Sequence, residues 1–175
     1  MLFDLDGTLV DLRAVYVHAH QLAARDVLVE VFVRHYREAR EGLARAFPGI
    51  ERLLRRLRSQ GTSVGVVTSK LREDTVAELA AMGLDESVEV VVAFEDTDEH
   101  KPSAAPQLEA LRRLGAAGGI GVGDLPSDVV SAREAGLAPL GVAWGYGDTA
   151  ALRQAGAERV CETVGELGEA LEDRL

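Results

Sequence analysis

The sequence predicts an α/β fold, a Rossmann-like parallel sheet with helices on both faces. Three observations predict it. Short, nearly continuous apolar runs alternate with segments of helical period. Those runs end on polar residues instead of alternating with them, as strands covered on both faces do. And 175 residues, 47% of them hydrophobic, suit one compact core.

Each element follows in turn. Met1–Leu5 is apolar up to Asp4 and forms the first strand, cut off by the Asp6-Gly7 turn pair. Ile50, Leu53, Leu54 and Leu57 follow the i, i+3, i+4, i+7 rule of a helix, with Pro48 near its start and Gly61 past its end. Val64–Val67 is the next strand and ends at Thr68. Val76, Leu79 and Ala80 share a helical face closed by Gly83. Val88–Phe94 is strand-like and leads into an acidic, proline-punctuated loop from Glu95 to Pro102. Pro106 opens a helix carrying Leu108 and Leu111 that stops near Gly115. Ile120–Val122 is a strand ending at Gly123-Asp124, and the helix Asp128–Ala135 stops at Gly136. Leu140–Ala143 is a strand, and Thr163-Val164-Gly165-Glu166 reads as a capping box for a last helix.

Composition narrows the function classes. With 19 basic residues against 29 acidic ones, a net −10, the chain has no stripe of cations with which to neutralise a nucleic-acid backbone. No apolar run approaches the roughly 18–20 residues that span a bilayer. Asp4 and Asp6 interrupt the first apolar stretch, where a signal peptide would be uncharged. The one cysteine, Cys161, cannot form an internal disulfide, which fits a reducing cytoplasm and a buried, inert thiol. Only Lys70 and Lys101 of the 19 cations are lysines, so each is conspicuous.

In open parallel sheets, ligands bind beyond the carboxyl ends of the strands. The polar residues expected at that edge are Asp4 and Asp6, Thr68, Lys101 in the loop after the third strand, and Asp124 with Asp128. Carboxylates without His or Cys partners make a hard-oxygen site suited to Mg²⁺. A Lys charge and a Thr hydroxyl suit phosphoryl oxygens, and an Asp can itself attack phosphorus. Phosphoryl transfer demands mostly positioning and charge neutralisation, which this set supplies.

These residues also carry a resemblance. Asp4-Leu5-Asp6-Gly7-Thr8-Leu9-Val10-Asp11 resembles the signature of the haloacid dehalogenase-like hydrolases. Val66-Val67-Thr68-Ser69-Lys70 is similar to their second motif, Lys101-Pro102 to the third and Gly123-Asp124-Leu125-Pro126-Ser127-Asp128 to the fourth. Trp144-Gly145-Tyr146-Gly147 resembles the phosphoglycolate phosphatase-like branch. The resemblance implies a phosphatase for a small phosphorylated metabolite. Asp4 is then the nucleophile and Asp6 the acid and base. Asp4, Asp124 and the Asp6 carbonyl are the Mg²⁺ ligands, Thr68 and Ser69 the phosphate-binding groups, and Lys101 the neutralising charge. Gly7, Thr8 and Asp128 are in support. It also implies a core of residues 1–11 and 48–175, with residues 12–47 forming a helical cap shorter than that of most relatives.

The chain departs from the family pattern at Leu125, where relatives often carry a small hydroxyl residue, and in that short insertion. Its apolar run, Val27 to Val33, is expected to pack on the core or on a second copy, giving a homodimer. Other readings are a phosphotransferase or mutase of the same superfamily, a noncatalytic interaction protein on this scaffold, and a receiver-like phospho-switch with Phe94-Glu95-Asp96 at its acceptor strand. Lys70 reads as a solvated loop cation, and His18, His20, His35 and His100 as surface or packing residues.

Overall fold

The computed structural model of the chain describes residues 1–23, 34–39 and 43–174. In chain order the strands are β1 (Leu2–Phe3), β2 (Val10–Asp11), β3 (Arg45–Ala46), β4 (Gly65–Val67), β5 (Val90–Val92), β6 (Ile120–Gly123), β7 (Ala138–Val142) and β8 (Arg159–Cys161). The helices of eight residues and more, with one seven-residue helix, are α1 (Arg13–Ala23), α2 (Ile50–Ser59), α3 (Arg72–Ala81), α4 (Ala105–Leu114), α5 (Pro126–Glu134), α6 (Thr149–Ala155) and α7 (Val164–Glu172).

Six strands form one parallel sheet in the order β5-β4-β1-β6-β7-β8. β1 lies in the middle, with Leu2 level with Gly65 on one side and Gly121 on the other. Successive strand residues face opposite sides, and the core follows that rule. Phe3 packs in a cluster with Ile50, Leu53, Leu54 and Leu57 of α2 and with Leu167 and Leu171 of α7. Leu2 packs on the other side with Ala110 and Leu111 of α4 and Ala132 of α5. Each fully buried Leu or Ile of the α2 stripe contributes about 1.5–3 kcal/mol, so α2 is held by its core-facing stripe.

The segments flanking the expected insertion form a two-stranded ribbon. β2 and β3 pair antiparallel, Val10 opposite Ala46 and Asp11 opposite Arg45. α1 and the helical residues 34–39 are the described helical parts between β2 and residue 43. The apolar run Val27–Val33 lies outside the described residues.

Three local expectations change. Val76 and Ala80 face solvent, Val76 with 48% of its surface exposed, while α3 buries Asp74, Thr75, Glu78 and Leu79. The helix is turned so that its acidic side meets a buried lysine, described below. Leu108 of α4 is exposed, leaving Leu111 and Ala110 to face the sheet. Thr163 Oγ1 does accept from the Glu166 amide, but the Glu166 carboxylate accepts from Glu162 N, one residue earlier than a reciprocal box would use. β8, and α6 with its Asp148 cap, are additional elements.

Candidate active site

The carboxyl edge of the sheet gathers the polar strand ends. β1 stops at Phe3 because Asp4 is the last residue there to bond across the sheet, its amide donating to Val122 O at 2.9 Å. The next residues turn back through Gly7, whose φ of 81° suits glycine. A Cβ on Gly7 would also collide with Asp124 Oδ2 and the Tyr146 ring.

Lys101 enters from the loop after β5 with 5% of its side chain exposed. Its ammonium donates to Asp4 Oδ1 at 2.6 Å, Asp128 Oδ1 at 2.7 Å and Val67 O at 3.1 Å. Burial works to lower its pKa, but Asp4 and Asp128 outweigh it and hold the ammonium above its usual range. Asp128 has a second task, since its Oδ2 accepts from Leu125 N at the start of α5.

Asp124 sits beneath, fully buried. Its Oδ2 accepts from Tyr146 N at 2.7 Å and its Oδ1 from the Thr8 hydroxyl at 3.4 Å. Trp144 Nε1 donates to Thr8 O, so the loop after β7 is tied to the loop after β1. Burial pushes the Asp124 carboxyl up to about 6 and raises that of Asp4 well above its ordinary value.

Oxygens of Asp4, Asp124 and Asp128 lie within 4.8 Å of one another. Three carboxylates around a single ammonium leave an excess of negative charge on hard oxygen donors, which suits a small divalent cation. The Asp6 carboxylate is not in this cluster, although strand alternation would put residues 4 and 6 on one face. β1 has ended by then, and Asp6 belongs to the Gly7 turn, bridging to Val10.

Asp6 has a separate set of partners. Its Oδ1 accepts from Lys70 Nζ at 2.8 Å and its Oδ2 from Tyr16 OH at 3.3 Å. Lys70 also donates to Glu78 Oε2 at 2.6 Å and to Tyr36 OH at 2.8 Å, and Tyr36 OH donates to Glu78 Oε1. Lys70 is therefore no solvated loop cation. Only 10% of its side chain is exposed. Burial raises the Glu78 carboxyl against the pull of Lys70, and raises both tyrosines. Tyr16, Tyr36, Lys70 and Glu78 are the residues that strand-end reasoning missed. The scarcity of lysine was the one signal for Lys70: both lysines of the chain lie here.

Thr68 is buried at the end of β4, and its Oγ1 accepts from Lys70 N, leaving the hydroxyl proton to donate. Ser69 is exposed beside it. Asp4, Asp6, Thr68, Ser69, Lys101 and Asp128 all line one cavity of about 540 Å³. Asp96, by contrast, is tied to Arg72 and Arg113 and is not in the lining of this cavity. His18 is exposed, His35 bonds Glu38, and His100 stacks on Phe94.

Comparison with known proteins gives a consistent answer. Residues 20–142 match the model of the haloacid dehalogenase-like hydrolase family. A plasmid-encoded phosphoglycolate phosphatase of Cupriavidus necator is 36% identical over 141 residues, which take in 79% of this chain and 61% of that enzyme. The chain thus spans less than two thirds of that relative's length. The pyrophosphatase PpaX of Bacillus cereus is 29% identical over 178 residues, 82% of each protein. A HAD-family hydrolase from Deinococcus radiodurans, solved with bound phosphate and sodium, superposes with a TM-score of 0.83 at 22% identity, covering 98% of this chain and 94% of that one. That likeness concerns the fold. The family match over most of the chain places this protein among the haloacid dehalogenase-like hydrolases.

Proposed function

We propose that the protein is a Mg²⁺-dependent phosphatase of small phosphomonoesters, working through an aspartyl-phosphate. The observation that carries the reading is the Asp4 carboxylate. One oxygen is fixed by Lys101, while among the described residues nothing donates to the other. Asp4 stands at the cavity wall beside Thr68.

Asp4 attacks phosphorus, forming an Asp4 O–P bond as the P–O bond to the leaving group breaks. Asp6, held by Lys70 and Tyr16, gives its proton to the departing oxygen. It then takes a proton from the water that cleaves the acyl phosphate, which releases inorganic phosphate and restores both carboxyl groups. Lys101 neutralises Asp4 and the transferring group, and Thr68 and Ser69 hold phosphoryl oxygens. Asp4, Asp124 and the Asp6 carbonyl would hold Mg²⁺, with Asp128 beside them orienting Lys101. When bound, the ion neutralises phosphoryl charge.

The C. necator and B. cereus relatives, named phosphoglycolate phosphatase and pyrophosphatase, support hydrolysis of a phosphate ester or anhydride. We infer an open mouth, broad substrate acceptance and a cap face packed on the core or on a second copy. No described helix is long and apolar enough to cross a membrane. Buried Cys161 fits the cytoplasm.

A screen of small phosphate esters tests the reading. Turnover is expected with Mg²⁺ and not in chelator, with poor rescue by Ca²⁺, whose looser geometry suits the site less well. Asp4→Asn should abolish turnover while the fold persists. Activity retained within about tenfold, roughly 1.4 kcal/mol of barrier, would remove Asp4 as nucleophile.

A further inference from the structure

The cavity beyond the phosphate site has a wall of tyrosine. Tyr36, Tyr16 and Tyr146 all line it. The Tyr16 ring lies 5.5 Å from that of Tyr36 and 6.5 Å, edge-on, from that of Tyr146. Their hydroxyls are already used: Tyr16 donates to Asp6, Tyr36 bonds Lys70 and Glu78, and Tyr146 OH accepts from Leu12 N. What this wall offers a ligand is ring carbon, and Leu71 and Leu125 extend it.

The charges point the same way. Lys101 and Lys70 are the cations among the described residues of the lining, and each is held between two carboxylates. Arg37, near the rim, is paired with Asp74 and Glu73. Arg13 lies outside the lining, over the Tyr146 ring, with its guanidinium on the Trp144 and Gly145 carbonyl oxygens. Among the described residues of the lining, a carboxylate on the leaving group would therefore meet aromatic carbon and Asp74, with both lysines already committed. The space also exceeds what a two-carbon leaving group fills, since cavities of several hundred Å³ hold drug-sized ligands.

Resting on the phosphatase reading, we propose that the substrates are phosphomonoesters with an uncharged leaving group carrying an apolar or aromatic face, and that carboxylated esters such as phosphoglycolate are discriminated against. The preference is one of class. Aromatic carbon packs on the tyrosine wall at no cost in charge, whereas an unpaired carboxylate must be desolvated there.

Two stable phosphonates test this without the complication of leaving-group reactivity: benzylphosphonate, the analogue of phenyl phosphate, and 3-phosphonopropionate, the analogue of phosphoglycolate. Their competitive inhibition constants against p-nitrophenyl phosphate are measured on the full chain with Mg²⁺. Benzylphosphonate is expected to bind at least tenfold more tightly. Leu125→Lys, which places an ammonium on the exposed rim, should narrow or reverse that ratio, and Leu71→Lys should act likewise. Equal or tighter binding of 3-phosphonopropionate to the unaltered protein overturns the inference, as does a ratio that neither lysine variant moves. The phosphatase reading fails separately, if p-nitrophenyl phosphate is not hydrolysed or Asp4→Asn leaves its hydrolysis intact. If neither phosphonate inhibits a working phosphatase, the tyrosine wall is no part of its substrate site.

Discussion

Asp4 and Asp6 stand two residues apart and are held by different lysines, Lys101 for Asp4 and Lys70 for Asp6. Each carboxylate thus has its own cation, so the two lysines can be tested separately. Lys101→Met removes the charge that neutralises Asp4 and leaves Asp128 unpaired as well. Turnover should fall on the order of 10²-fold or more, and beryllium fluoride, a phosphoryl mimic, should bind more weakly. Unchanged mimic affinity would move Lys101 out of the phosphoryl site. Lys70→Met should have a different signature if Lys70 positions Asp6 toward the leaving group, as proposed. Alkyl phosphates, which need a proton on departure, should lose on the order of 10–10² in kcat, and p-nitrophenyl phosphate clearly less. A uniform loss across leaving groups would mean that Lys70 merely supports the fold.

At the scale of elements, the turn after β1 and the loop after β7 close on each other around Asp124. Gly7→Ala forces an alanine to a φ that costs about 1–2 kcal/mol and drives a methyl group into the Asp124 carboxylate. Loss of thermal stability should come with weakened Mg²⁺ binding by calorimetry; a variant binding Mg²⁺ like the parent would show that this contact does not shape the metal site. The strands that carry Asp4, Thr68 and Asp124 were legible because a buried parallel strand is an apolar run with a polar stop. Lys70 was not, because its meaning lies in Glu78, Tyr16 and Tyr36, which only the fold brings to it. The Val76-Leu79-Ala80 stripe concealed Glu78 by suggesting the wrong inward face for α3. β8 escaped notice because only Val160 and Cys161 stand apolar between charged neighbours, and α6 because Leu152 is its one buried anchor. The distance of the Asp6 side chain from the cluster of Asp4, Asp124 and Asp128 was not legible, since the early end of β1 is invisible in an apolar run.

For the molecule as a whole, the buried acids tie stability to pH and to metal. Burial lifts Asp124 to about 6, against about 3.9 in an unfolded chain. A carboxyl group raised in this way favours the fold most below its unfolded value, and that contribution, on the order of 3 kcal/mol, is lost as pH rises through about 6. A bound divalent cation favours the ionised form and reverses the sign. In chelator, Tm should therefore fall between about pH 4 and pH 7, while the increase in Tm given by Mg²⁺ grows over the same range. A Mg²⁺ effect of equal size at both ends of that range would argue against Asp124 as a ligand.

The central position of β1 has a kinetic side. Its neighbours β4 and β6 come from distant parts of the chain, 97 residues separate Lys101 from Asp4, and 116 separate Thr8 from Asp124. Contacts so far apart form late and slowly, because chain closure must precede any gain from pairing. During refolding, α2 and α4 can acquire helical structure while Asp4 still lacks both its lysine and its carboxylate neighbours. Recovery of the far-ultraviolet helical signal should thus precede recovery of Mg²⁺ binding, and the ability to handle phosphate should arrive with the last stage of assembly.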